Sequence, residues 1–124
     1  MIEGLELAKT AAKLADNKQA EEILVLDLQG ISSITDYFVI CTGTSKPHLK
    51  AIQREIREKL KQEDEVVPVS ADGKPESEWV VLDYGDVIVH VFHTDKRGHF
   101  ALEDLWGDAP RIELELEGAM AIDA

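Results

Sequence analysis

Residues 79–92 read Trp79-Val80-Val81-Leu82-Asp83-Tyr84-Gly85-Asp86-Val87-Ile88-Val89-His90-Val91-Phe92. Two runs of β-branched and aromatic residues flank Asp83-Tyr84-Gly85-Asp86, residue types that make a tight reversal. Glycine takes positive φ without steric cost, and aspartate bonds to the turn backbone. The runs are almost free of charge in a chain that is 31% charged. Strands apolar on both faces must be covered on both faces, so the hairpin is predicted inside a sheet, not at its rim. Trp79, Asp83, Tyr84, Asp86 and His90 bring polar and aromatic tips to this apolar scaffold. Such a set makes either a recognition surface or a core with satisfied polar groups.

Upstream of the hairpin, Ser70 to Ser77 reads as a loop, with Asp72-Gly73 and Pro75. Before it, Val66–Val69 reads as an edge strand, because Pro68 argues against a central position. A helix is predicted over 46–62, with Ser45 as N-cap and Pro47 in the first turn, where no donor is needed. Its core face is Leu49, Ile52, Ile56 and Leu60. Lys46, Lys50, Arg54, Arg57 and Lys61 fall within about 80° of each other by helix geometry. A basic stripe on an otherwise acidic protein is a candidate RNA or phosphate contact; solvated helix surface is the plainer reading.

Further upstream, Tyr37–Thr42 and Ile23–Leu28 read as strands. Residues 2–18 form an amphipathic helix with Leu5, Leu7, Ala8, Ala11, Ala12, Leu14 and Ala15 on one half. Downstream, His93 to Gly98 turns into a short helix containing Phe100, Leu102, Leu105 and Trp106, stopping near Gly107-Asp108. The alternation from Ile112 to Glu117 is either a strand added to an edge or a mobile acidic end. The predicted order is α-β-β-α-β-β-β-α. It gives a single α/β domain with a mixed β-sheet flanked by helices.

At 124 residues the chain is long enough to bury a core without staples. Its one cysteine, Cys41, cannot form an internal disulfide, which suits a reducing compartment. The amino terminus has no basic region, apolar run or cleavage site of a signal peptide. No apolar run approaches the roughly 20 residues of a membrane helix. These features predict a cytoplasmic protein with no membrane partner. The net charge is −12, and from Glu76 onward twelve acids face only Lys96, Arg97 and Arg111. That half disfavours phosphate contacts and favours a basic protein partner, through electrostatic steering. Solubility is the plainer reading of the same charge.

Gly43-Thr44-Ser45, between a strand and a helix, is the feature with enzymatic precedent. Helix N-terminal amides favour phosphate, and nucleotidyltransferases use a Gly-Ser turn here. That chemistry also needs two or three carboxylates on following strands to hold paired metal ions. Val66–Val69 carries none, and Asp83 and Asp86 lie across a turn instead of along one strand face. His90 and His93 are three apart, on opposite strand faces, so no metal set converges. Cys41 has no nearby base. The chain is therefore expected to be neither an enzyme nor a holder of a metal or cofactor. The alternative is a nucleotide-binding or nucleotidyltransferase-like enzyme using Gly43, Thr44 and Ser45.

Candidate partner-binding residues are Trp79, Asp83, Tyr84, Asp86, Glu103 and Trp106. Aromatic anchors bury large area at low entropic cost. Ringed by carboxylates, they suit a target rich in Arg and Lys. Core tryptophans and turn aspartates are the competing account.

Three segments carry a resemblance: Asp36-Tyr37-Phe38-Val39-Ile40-Cys41-Thr42-Gly43-Thr44-Ser45, the stretch Trp79 to Phe92, and Leu102-Glu103-Asp104-Leu105-Trp106. Together they closely resemble the ribosomal silencing factor (Iojap, RsfS) family, over residues 3–109. The resemblance implies a nucleotidyltransferase-like fold without catalytic acids. It also implies binding to large-subunit ribosomal protein number fourteen at the intersubunit face, where bulk blocks subunit association and represses translation under nutrient limitation. Trp79 would be the anchor, Asp83, Asp86 and Glu103 would pair with basic side chains, and Tyr84 and Trp106 would shape or support the patch. Organellar relatives carry targeting extensions, so a chain starting at the domain itself points to a bacterial cytosolic member. The family domain is expected over 1–110, with 111–124 an acidic C-terminal tail without assigned role. A secondary contact to ribosomal RNA through the basic stripe is compatible with this reading. An apolar sheet edge near Val66 or the tail can support a homodimer of the free protein.

Overall fold

The computed structural model describes residues 2–74, 78–94, 110–112 and 114. Its elements are α1 (Gly4–Asn17), β1 (Glu21–Asp27), β2 (Tyr37–Gly43), α2 (Lys46–Asp64), β3 (Ser70–Lys74), β4 (Trp79–Asp83) and β5 (Val87–His93). The sheet order is β1-β2-β5-β4-β3. β2 and β5 are parallel, with Tyr37 opposite Val87 and Gly43 opposite His93, and the other neighbours are antiparallel. The expected mixed sheet and interior hairpin are therefore present. The segment predicted as a helix after His93, including Phe100, Leu102 and Leu105, lies outside the described residues.

Strand alternation sorts this sheet into two faces. Val80, Leu82, Val87, Val89 and Val91 join Tyr37, Val39 and Cys41 in one buried cluster with Leu7, Ala8, Ala11, Ala12 and Ala15 of α1. Leu49, Ile52, Ile56 and Leu60 of α2 complete that cluster, all fully buried, as the stripe predicts. The alanines let α1 lie close on the strands, although Leu5 at its start is exposed. On the opposite face Leu26, Leu28, Phe38, Ile40 and Phe92 form a second, smaller cluster. β4 differs from the expectation of burial on both sides. Val80 and Leu82 are buried, whereas Trp79, Val81 and Asp83 are only partly so.

The edge strand is a correction. Val66–Val69 is not a strand; β3 begins at Ser70, inside the segment expected to be a loop. The reason lies in the end of α2. Glu65 adopts a left-handed conformation (φ 58°), the Glu65 amide donates to Lys61 O, and the Val66 amide donates to Leu60 O. Val66 is thus spent on a helix-terminating motif and packs against the helix-side core. Pro68 has no amide to give. Pairing starts only where Ser70 meets Asp83, so tertiary context outweighs the poor strand propensity of Ser-Ala-Asp-Gly-Lys. The edge strand at this rim is therefore β3, and Val67 and Val69 beside it are exposed.

At the other rim, Arg111 forms an antiparallel bridge with Leu26. Asp27 N donates to Pro110 O and Ile112 N donates to Val25 O. The start of the tail thus lies along β1, as the edge-strand alternative requires.

Candidate partner-binding site

The face of β4 and β5 turned away from α1 and α2 carries the aromatic part of the site. Trp79 lies opposite Phe92 in register, and the rings stack with centroids 5.3 Å apart and planes 20° apart. The indole Nε1–H of Trp79 donates to Nδ1 of His90 at 3.2 Å. His90 in turn sets its ring against the edge of Phe38, 4.7 Å between centroids. With Nδ1 accepting, the neutral ring carries its proton on Nε2, which is buried with no hydrogen-bond partner among the described residues. Burial lowers the His90 pKa to about 4, so the ring stays neutral at physiological pH. Its neutral Nδ1 helps to fix the plane of a half-buried tryptophan.

Asp83 shares that face and performs a local task. Its Oδ1 accepts from Gly85 N at 2.8 Å, closing the turn. Gly85 sits at φ +92°, which a side chain would make costly. Asp86 is committed elsewhere. Its Oδ2 accepts from Gly4 N at 2.6 Å, capping α1, whose own N-cap residue Glu3 makes no side-chain bond. The Asp86 carbonyl also receives the amides of Asp36 and Tyr37.

Tyr84 points the other way, into the helix-side cluster, and is only 8% exposed. Its hydroxyl is buried without a hydrogen-bond partner among the described residues. Burial pushes its pKa up to about 12, with Arg57 partly offsetting the shift. Tyr84 can therefore act on a patch only from beneath. Trp79 and Asp83 stand at the two ends of β4 on the face turned away from α1 and α2, Asp86 stands at the turn, and Glu103 and Trp106 lie outside the described residues.

The Gly43-Thr44-Ser45 turn is occupied by its own neighbours. Ser45 Oγ accepts from His48 N at 3.2 Å, the expected cap, and Thr44 N donates to His48 Nδ1 at 2.9 Å. The Nε2 atom of His48 reaches Lys18 O at 2.7 Å, joining the start of α2 to the end of α1. A Cβ at Gly43 would approach Leu49 Cδ2 to 2.8 Å, so the glycine admits the first turn of α2. Among the described residues, no group of three or more His, Cys, Asp or Glu could hold a metal ion.

Some features escape a reading of sequence. Ile31, Ile34, Val67 and Val69 are exposed near the end of the sheet that carries the 83–86 turn. There too the carboxylates of Asp27, Asp36 and Asp86 act with burial to raise the Tyr37 pKa, burial being the larger cause. These juxtapositions depend on strand register, and no local motif signals them.

Comparison with known proteins adds what geometry cannot. The family described as "Ribosomal silencing factor during starvation" matches residues 2–123. "Ribosomal silencing factor RsfS" of Bacillus subtilis is 47% identical over 109 residues, covering 88% of this chain and 92% of the relative. A crystal structure of a Chromobacterium violaceum protein aligns with a TM-score of 0.81 at 30% identity, over 95% of this chain and 97% of that one. One from Bacillus halodurans aligns with a TM-score of 0.71 at 41% identity, over 89% and 96%.

Proposed function

Because this chain belongs to the ribosomal silencing factor family, we propose that it binds the large ribosomal subunit and holds it apart from the small one. The docking partner in this reading is ribosomal protein number fourteen at the intersubunit face. Bound there, the rigid domain obstructs subunit joining by bulk, with no reaction, and lowers translation when nutrients are short. The observation that supports the reading, beyond family membership, is the oriented Trp79 on the sheet face turned away from α1 and α2, which carries Asp83 about 13 Å further along β4. A tryptophan already held by a hydrogen bond and a stack loses little freedom on binding, which is how interface anchors gain their weight. A carboxylate on the same strand face suits Arg or Lys on the partner. Glu103 and Trp106 belong to the same proposed patch, and Asp86 and Tyr84 support it through the turn and the core.

The test is co-sedimentation with isolated large subunits, together with a subunit-joining assay. Trp79→Ala is expected to weaken association at least tenfold. Asp83→Asn keeps an oxygen for the Gly85 amide and removes only the charge, so its expected several-fold loss reports on partner pairing and not on the turn. Thermal unfolding of both variants checks that the domain still folds. Unchanged association in both would remove this patch, and failure of the unmodified protein to impede joining would end the reading.

A further inference from the structure

We propose that the outer face of α2 takes the phosphate backbone of structured RNA, independent of sequence, on the opposite side of the molecule from Trp79. The burial of Leu49, Ile52, Ile56 and Leu60 fixes the rotation of this helix. Lys46, Lys50, Arg54, Arg57 and Lys61 consequently all point outward and are exposed. They form a line about 22 Å long, at 1.5 Å per residue, with steps of about 6 Å between residues four apart.

These charges are largely unspent. Arg54 approaches Glu58 at 3.9 Å, with both side chains 61% exposed, a pair of little strength. Arg57 lies close enough to the Tyr84 hydroxyl to act on it electrostatically and enters no ion pair among the described residues. Lys46, Lys50 and Lys61 enter no ion pair among the described residues. Glu58 flanks the line and Asp64 ends it, so the cationic surface occupies the first sixteen residues of the helix. The sheet separates this line from Trp79 and Asp83, which lie on the face turned away from α1 and α2. At physiological salt, charges more than about 8 Å apart are largely screened, so the acidic remainder does not cancel the local field.

The chemistry of the line selects its ligand. Lysine and arginine heads without an aromatic residue among them offer phosphate contacts and no stacking platform for unpaired bases. A duplex or folded RNA fits; a single strand recognised through its bases does not. The proposal rests on the ribosomal reading only for where such RNA would lie.

The test uses the full chain and a labelled RNA hairpin of arbitrary sequence, titrated at several salt concentrations, alongside co-sedimentation with large subunits. The unmodified protein is expected to bind the hairpin with a log–log salt slope of about −3 to −4, for four or so phosphate contacts. Lys50→Ala/Arg57→Ala is expected to weaken binding at least tenfold and to make the slope shallower by about two. Trp79→Ala should leave hairpin binding unchanged while losing the large subunit. If the unmodified protein ignores the hairpin at low salt, or the double variant binds it equally well, the proposal fails. Displacement by poly-glutamate as effective as by unlabelled hairpin would instead assign the face to an acidic protein and also overturn it. Hairpin binding without large-subunit association would uphold this face and refute the ribosomal reading, so the two failures are separable.

Discussion

The two faces of the sheet are built from alternate residues of the same strands, yet they differ in kind. On the helix side, Val80, Leu82, Val87, Val89 and Val91 meet the alanines of α1 and the isoleucines of α2, and a polar exception is the hydroxyl of Tyr84, which has no hydrogen-bond partner among the described residues. On the other side, Phe92 and Phe38 share space with His90, Trp79 and Asp83. One face is bound together by area removed from water; the other holds oriented polar groups at some cost in stability. A binding protein needs both, the first to hold the second rigid. This division predicts which substitutions unfold the domain and which only blunt its recognition.

The largest effect belongs to the helix side. Leu82 is fully buried there, one residue from half-buried Asp83. Leu82→Ala is expected to lower the unfolding free energy by about 2–5 kcal/mol, through lost transfer energy and a residual cavity. Urea unfolding measures it as a fall in midpoint at unchanged slope. A loss under 1 kcal/mol would mean that this face tolerates collapse and that the contrast between faces is overstated.

The opposite face should reveal itself through pH. The pKa of His90 is lowered from 6.5 to about 4 on folding. The unfolded chain therefore binds the proton more readily between those values, so stability is full above pH 6.5 and falls as pH drops toward 4. The expected loss is about 3 kcal/mol at most, at 1.36 kcal/mol per pKa unit. Protonation would also place an N–H on Nδ1 against the Trp79 indole N–H, breaking the contact that orients the anchor. Unfolding free energy measured from pH 7 to 4 in the native chain and in His90→Gln checks this. An equal pH slope in both would remove His90 as the cause.

This contrast also explains how much was legible beforehand. Strands, helices and the hairpin follow from local periodicity, so Leu49, Ile52, Ile56 and Leu60 were identifiable as core from spacing alone. The faces were not legible to the same degree. Trp79 and His90 are eleven residues apart and meet only because Trp79 pairs with Phe92. Asp86 reads as a turn aspartate until Gly4, 82 residues away, is seen to donate to it. Val66 shows the converse failure. An apolar run with strand propensity was claimed by the end of the preceding helix, because backbone amides serve one partner at a time.

The smallest effect is the most discriminating, because it concerns a polar atom that breaks the pattern of the helix side. Tyr84 reads from sequence as a possible partner contact, yet its ring is packed in the core and its hydroxyl has no described partner. A buried hydroxyl without a hydrogen bond is a net cost, and removing it relieves that cost without changing the shape of the ring. Tyr84→Phe should therefore leave stability unchanged or raise it by about 0–1 kcal/mol. Because burial holds the phenol protonated up to about pH 12, the difference should be flat across the neutral range. Large-subunit association should be unaltered, which sets Tyr84→Phe against Trp79→Ala on the other face of the same hairpin. A fall of more than 1 kcal/mol would mean that the hydroxyl is held by a group or a water molecule. A loss of association at unchanged stability would bring Tyr84 into the docking patch and undo the division between the two faces.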